Sequence, residues 1–101
     1  MLIGRFQHAS CALDDSLFVF CGYSRHQRRF LSSIEQLNLK DSSTGFIQIN
    51  GDSISPRCNL SSTTIPESKQ ILVMGGTDQY YSLLTDIHIF DPARQSIQAL
   101  E

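Results

Sequence analysis

Short apolar segments separated by turn-forming residues recur along the chain, and no stretch keeps apolar residues at helical spacing for three turns. That pattern is typical of β-strands rather than helices. Two uninterrupted apolar runs, Leu17–Cys21 and Ile71–Met74, are each followed by glycine. Continuous apolar strands are covered on both faces, so we expect both runs to lie inside a layered stack of sheets. The sequence therefore predicts an all-β fold.

Six further segments complete two sets of four predicted strands. Polar turns at Asp14–Ser16 and Pro66–Lys69 follow the first strand of each set. Pro92 closes the third strand of the second set, because proline cannot donate a ladder hydrogen bond. The predicted strands are Phe6–Leu13, Leu17–Cys21, Ile34–Leu39 and Phe46–Ile49 in the first set, and Cys58–Ile65, Ile71–Met74, Ile87–Phe90 and Ile97–Leu100 in the second.

The two sets match each other as an internal repeat with a period near fifty residues. Four short strands per unit at this period predict propeller blades. We therefore divide the chain into units at residues 1–52 and 53–101. The aligned pairs are Arg5 with Arg57, Phe18 with Leu72, Ile34 with Ile87 and Phe46 with Ile97, at separations of 52, 54, 53 and 51 residues.

The second unit has an arginine ahead of its first strand, an apolar run ending in Gly75–Gly76, and an aromatic residue followed by Asp91–Pro92. The first unit repeats the arginine and the apolar run, with Cys21–Gly22 in place of the glycine pair. In this arrangement the chain resembles the kelch repeat over nearly all of its length. The resemblance implies two four-stranded antiparallel kelch-type blades that form part of a β-propeller. The segments that carry it are Arg5–Ala9, Leu17–Gly22, Ile34–Glu35, Leu37–Asn38, Pro56–Arg57, Ile71–Gly76, Thr85–Ile87, Phe90–Pro92 and Leu100.

Two departures from the kelch pattern bear on packing. Cys21 replaces a glycine that lets neighbouring backbone come close, so we expect slightly shifted packing there. Both outer strands lack the usual tryptophan, and Phe46 and Ile97 hold those places. Two blades alone also leave their outward faces apolar. Those faces call for further blades from the same protein, from copies of the chain or from a partner.

Composition narrows the functional classes. Eight Lys and Arg residues against ten Asp and Glu give a net charge of −2, which is too balanced for a nucleic-acid binder. No apolar run is long enough to span a membrane, and no signal peptide is evident. Cys11, Cys21 and Cys58 form no C-x-x-C pair. We therefore expect reduced thiols in a cytoplasmic protein that holds no metal or other cofactor.

The loops between the second and third strands of each unit are the candidate partner-binding surface. Residues 23–30 hold three arginines and a histidine between two aromatics. Arginine pairs with carboxylates and stacks on rings, so an acidic peptide or protein is the expected partner. Residues 77–82 add two tyrosines, of which we expect one to pack and one to be exposed. The arginines ahead of each first strand have two open roles, ligand contact or the tying of adjacent loops. The candidate residues are Arg5, Tyr23, Arg25, Arg28, Arg29, Arg57, Asp78, Tyr80 and Tyr81.

The leading interpretation is a non-catalytic protein–protein interaction module. One alternative is a structural segment whose blades brace a large assembly, and another is part of a kelch-type propeller enzyme whose active site lies outside this chain. His8, His26 and His88 fall at a first strand, a loop and a third strand, which makes a shared metal site unexpected. No hydrolase, zinc-protease or nucleotide-binding motif is present, so no catalytic residue is predicted.

Overall fold

A computed structural model of the chain describes residues 4–50 and 53–100. Strands make up 55% of the structure, and the described residues contain no helix, so the predicted all-β fold is confirmed. No helix in these two ranges could therefore cross a membrane. The strands are β1 (Ala9–Leu13), β2 (Ser16–Phe20), β3 (Tyr23–Ser24), β4 (Arg29–Phe30), β5 (Ile34–Asn38), β6 (Thr44–Phe46), β7 (Ser61–Ile65), β8 (Gln70–Thr77), β9 (Leu83–Asp91) and β10 (Ser96–Leu100).

Eight of these strands form two antiparallel sheets of four strands each. The first sheet has the order β1-β2-β5-β6, and the second has the order β7-β8-β9-β10. Residues 23–30, for which the sequence predicts a loop, instead fold into the β3–β4 hairpin. Tyr23 lies opposite Phe30, and their rings meet edge to face with centroids 5.3 Å apart, which stabilises so short a ladder.

The strand register shows which positions of the two sheets correspond. Phe20 lies opposite Ile34 in the first sheet, and Met74 lies opposite Ile87 in the second. From these anchors Leu37 corresponds to Phe90, whose partner on the outer strand is Ile97. The partner of Leu37 on the outer strand is Thr44, not Phe46. The sequence alignment of Phe46 with Ile97 is therefore wrong, because β6 begins two residues earlier than predicted. Ile97 is buried at 6% exposure, whereas Phe46 is 56% exposed.

The two sheets pack face to face, and their contact forms the hydrophobic core. Residues directly opposite each other share a face, so the register assigns each side chain to one side of its sheet. The inner face of the first sheet meets the inner face of the second through aromatic contacts. The Phe18 and Phe20 rings lie 5.4 and 5.6 Å from the Phe90 ring, both edge to face. The inner faces consist of Ala9, Cys11, Leu13, Phe18, Phe20 and Ile34 in the first sheet and Ile71, Val73, Phe90 and Ile97 in the second.

The first strands of the two sheets, β1 and β7, also lie side by side. Two hydroxyl groups of β7 donate hydrogen bonds to carbonyl oxygens of β1, Ser62 Oγ to Ser10 O at 3.1 Å and Thr64 Oγ1 to Ala12 O at 2.7 Å. The turns that follow these strands add an exposed ion pair between Lys69 and Asp14 at 2.7 Å. These hydroxyl groups thus satisfy carbonyl oxygens of β1, which is an edge strand of the first sheet.

A left-handed residue pair follows the end of β2, and another lies within β8, where a β-bulge between Met74 and Gly76 shifts the register. Gly75 and Gly76 have φ angles of 67° and 109°, and Cys21 and Gly22 have φ angles of 57° and 98°. Cys21 thus keeps the conformation of the glycine it replaces, at a cost of about 1 kcal/mol for a residue with a Cβ. Gly76 is also closely approached, because a Cβ placed there would lie 2.7 Å from the carbonyl oxygen of Cys58.

The close approach at Gly76 yields a test of the fold. We expect Gly76→Ala to lower the free energy of unfolding by more than about 2 kcal/mol, since it adds both a backbone clash and a strained φ. Gly45→Ala is the matched control, because a Cβ on Gly45 would meet no atom within 4 Å and its φ is not positive. Urea denaturation followed by circular dichroism measures both. Equal stability of the two variants would contradict the assigned backbone.

Candidate partner-binding site

A buried arginine holds the segment that enters the first sheet. The Arg5 guanidinium donates to the carbonyl oxygen of Cys21 at 2.8 Å and to Ser33 Oγ at 3.3 Å, and it pairs with the Glu35 carboxylate. The side chains of Arg5 and Glu35 are only 3% and 1% exposed. Because a buried charge is costly without a partner, this pair must form together. Arg5 thereby fixes both ends of the β2–β5 connection against the chain ahead of β1.

The second sheet has the same device in a different chemical form. Arg57 donates to the carbonyl oxygen of Gly75 at 3.1 Å and makes two bonds to the Asp86 carboxylate, at 2.6 and 3.0 Å. Ser55 accepts two further bonds from the same guanidinium, at its carbonyl and hydroxyl oxygens. His88 Nε2 lies 2.8 Å from the same carboxylate. Hydrogen bonds from Arg57 hold the pKa of Asp86 well below its usual range, with a smaller contribution in the same direction from His88.

The two arginines therefore tie loops together, which is one of the two roles that the sequence left open. Backbone hydrogen bonds extend the tie from one sheet to the other: Gly22 N donates to Arg57 O at 2.8 Å, and Arg57 N donates to Leu31 O at 3.2 Å. The guanidinium groups of Arg5 and Arg57 are enclosed by these partners. Direct contact of either arginine with a ligand stays a prediction.

The β3–β4 hairpin presents the arginines that the sequence singled out. Its base is an aromatic group, in which the Tyr23 ring lies 5.4 Å from Phe6 and 5.3 Å from Phe30. Its tip is held by a hydrogen bond from Gln27 N to Ser24 Oγ at 3.1 Å, and Ser24 is fully buried. The side chains of Arg25, Arg28 and Arg29 are exposed, and His26 is exposed with them. Three positive charges thus stand on a short hydrogen-bonded hairpin with an aromatic base.

The hairpin is a local positive region on a chain of net negative charge. It carries three of the eight basic side chains and none of the ten acidic ones. Arg29 Nε donates to Gln27 Oε1 at 2.9 Å, which holds that guanidinium over the tip. A cleft of about 150 Å³ lies beside the hairpin and is lined in part by Arg29, Phe30 and Pro56. A larger cleft of about 290 Å³ lies beside β6 and Gln95, and its lining residues are all uncharged.

The corresponding loop of the second sheet exposes aromatic side chains. Asp78 Oδ1 accepts hydrogen bonds from the backbone N–H groups of Tyr80 and Ser82, at 2.9 and 3.1 Å, and so shapes the loop from within. Tyr80 and Tyr81 are 76% and 84% exposed, so the expectation that one of them packs against its own sheet is wrong. Leu83, next to them, is 84% exposed. This loop is the turn of the β8–β9 hairpin, whose ladder runs on to Thr77 opposite Leu83, and both tyrosines lie at its exposed tip.

The candidate residues lie at one end of the two sheets. Phe6 pairs with Tyr23 of the β3–β4 hairpin, and Cys58 pairs with Thr77 of β8, so each entry segment lies beside the segment that follows the apolar run of the second strand. Sequence reasoning missed Phe6, which completes the aromatic base of the hairpin and is 44% exposed. Its position directly after Arg5 was the available signal. Among residues 4–50 and 53–100, no three His, Cys, Asp or Glu side chains come together as metal ligands.

Comparison with known proteins gives no assignment. No family model matches this sequence, and no curated protein matches it either.

The Arg57–Asp86 pair predicts a pH-dependent contribution to stability. Asp86→Asn should lower the free energy of unfolding at pH 7 by about 1.5–3 kcal/mol, because a charge-assisted pair with a buried guanidinium is lost. A carboxylate with a lowered folded-state pKa stabilises the protein above its unfolded pKa, near 4, and loses that contribution as the pH falls further. The difference between wild type and variant should therefore shrink below pH 4.

Urea titrations at pH 7 and pH 3 measure this difference. Asp14→Asn is the matched control, because the Asp14–Lys69 pair is 62% exposed on both sides and exposed pairs contribute at most about 1 kcal/mol. A loss for Asp86→Asn that is no larger than for Asp14→Asn would contradict the buried tie.

The three thiols should react at different rates. All three cysteines are free. Burial raises the pKa of Cys21 to about 12 against the opposing charges of Arg57 and Arg5, and burial also raises the pKa of Cys58. Since the thiolate is the nucleophile, iodoacetamide at pH 8 should alkylate the half-exposed Cys11 first and reach Cys21 only after unfolding. Peptide mass spectrometry over time measures the order, and equal rates at Cys11 and Cys21 would contradict it.

Proposed function

We propose that the two sheets are kelch-type blades of a β-propeller and that the chain is a non-catalytic protein–protein interaction module. Support comes from the repeated architecture: each unit is a four-stranded antiparallel meander entered by a buried arginine and turned by a left-handed residue pair. Propeller blades are sheets of this kind, packed face to face. The wide face-to-face contact of the two sheets agrees with that packing.

The partner proposed is an acidic peptide or protein segment that binds at the loop end. The observation that carries this proposal is the β3–β4 hairpin, where Arg25, Arg28 and Arg29 stand exposed above an aromatic base. Arginine forks can bind carboxylates in two-bond geometry, and a hairpin that is already folded loses little entropy when it binds. The exposed Tyr80 and Tyr81 provide contact area with polar tips on the neighbouring loop.

Charge reversal at the hairpin tests the proposal. A fluorescein-labelled peptide rich in Asp and Glu serves as the probe, and fluorescence polarisation at low salt measures its dissociation constant. We expect the double variant Arg28→Glu/Arg29→Glu to weaken binding at least tenfold, since two attractions become repulsions and 1.4 kcal/mol is a factor of ten. Binding to the wild type should also weaken as salt is raised.

The matched control reverses two charges at the other end of the sheets. Lys40 and Arg94 lie in the turns after β5 and β9, away from the hairpin, and both are exposed. Lys40→Glu/Arg94→Glu should leave the dissociation constant within about twofold, because local rather than net charge sets the contact. Equal loss in both double variants, or no binding by the wild type, would sink the assignment of the hairpin.

A further inference from the structure

The outward faces of both sheets are apolar and only partly covered. On the second sheet, Leu72, Met74, Ile87 and Ile89 are half-buried, and Leu100 is 45% exposed. On the first sheet, Leu17 and Leu37 are half-buried, and Phe46 is 56% exposed. Apolar sheet faces of this extent on both sides of a small protein mark surfaces that another sheet covers. We call these the outer face of the second sheet and the outer face of the first sheet.

The internal repeat shows what would fit each outer face. By the strand register, Phe18 on the inner face of the first sheet corresponds to Leu72 on the outer face of the second. Phe90, on the inner face of the second sheet, corresponds to Leu37 on the outer face of the first. The contact inside the chain therefore joins two unlike faces of the repeat, and each outer face is the counterpart of one of them.

We infer that copies of this chain associate head to tail, with the outer face of the second sheet of one copy against the outer face of the first sheet of the next. The contact repeats the one inside the chain. Leu72 and Met74 of one copy pack around Leu37 of the next, as Phe18 and Phe20 pack around Phe90. Contacts between unlike faces produce rings or open chains of subunits. This inference does not depend on the loop end or on its partner.

One of the two hydrogen bonds from β7 to β1 also has a counterpart at the joint between copies. Ser10 corresponds to Ser62, which donates to the carbonyl oxygen of Ser10 inside the chain. At the joint between copies, Ser10 Oγ is therefore placed to donate to the carbonyl oxygen of Ser62. Ala12 corresponds to Thr64 and has no hydroxyl, so the second of the two bonds is absent there.

The turns make the joint between copies electrostatically weaker than the contact inside the chain. Asp15 corresponds to Lys69. At the joint, Asp15 of one copy therefore faces the turn at Pro66–Lys69 of the neighbouring copy, in which Glu67 is exposed. Asp14 corresponds to Pro66, so the ion pair of Lys69 with Asp14 has no counterpart at the joint between copies. Asp15→Lys should place a cation opposite Glu67 and lower the dissociation constant for association a few-fold.

Complementation of two variants tests the head-to-tail contact. Leu37→Glu disables the outer face of the first sheet, and Leu72→Glu disables the outer face of the second. Light scattering after size exclusion should show wild-type masses above the 11.3 kDa of one chain that rise with concentration, toward about 34 kDa for three copies. Each variant alone should stay near 11.3 kDa, and an equimolar mixture should give a species of two chains, about 23 kDa.

Several results would overturn the inference. A wild-type chain that stays at 11.3 kDa up to millimolar concentration leaves both faces to a different polypeptide. Self-association of either variant, or failure of the mixture to form the two-chain species, excludes contact between unlike faces. Strand-rich circular dichroism and cooperative unfolding check that the variants fold, and Leu37→Thr with Leu72→Thr replaces them if they do not. Arg28→Glu should leave every mass unchanged, so a failure here is distinct from a failure of the loop proposal.

Discussion

The structure depends on one repeated constraint: a guanidinium taken out of water must meet a carboxylate. Arg5 and Arg57 lie where the chain enters each sheet. Each pairs with a carboxylate beyond the connection between the second and third strands of its sheet, Glu35 for Arg5 and Asp86 for Arg57. An unpaired charge at either place would cost several kcal/mol, so the entry segment and the connection order each other. The same groups bind the carbonyl oxygens of Cys21 and Gly75, where the backbone turns left-handed. Buried charge thus positions the ends of the exposed loops, and in the first sheet the aromatic packing of Phe6, Tyr23 and Phe30 adds to it.

In this arrangement, different residues meet the two structural requirements of a binding loop. A binding loop needs exposed and variable side chains, whereas its ends need fixed positions. In the first sheet the ends are held by Arg5 and by the backbone bonds around Gly22, and the tip carries the arginines. In the second sheet Asp78 folds the loop from within, and the tyrosines point outward. The sheets thus hold the ends of the loops in place, and the exposed loop side chains are free to contact a partner.

The local pattern of apolar and turn-forming residues predicted most of the fold. Apolar runs followed by glycine located β2 and the first part of β8, but Gly75 and Gly76 do not close β8, which runs on to Thr77. The hairpin at residues 23–30 escaped prediction because its two strands have two residues each, too few for any periodicity. The wrong pairing of Phe46 with Ile97 arose because register depends on turn length, which the alignment of apolar residues does not measure. The partner of Arg57 was equally hidden, since a pairing across 29 residues is a property of the folded chain.

The two repeats also differ in where the acid lies. Glu35 and His88 occupy corresponding positions, as do Ser33 and Asp86, so the carboxylate has moved by two residues along the strand while the arginine stayed. If both repeats descend from one ancestral unit, the order of the exchanges was restricted. Loss of the original carboxylate before the new one was gained would have left a buried arginine without a partner. The exchange would then have passed through an intermediate with an acidic residue at both strand positions.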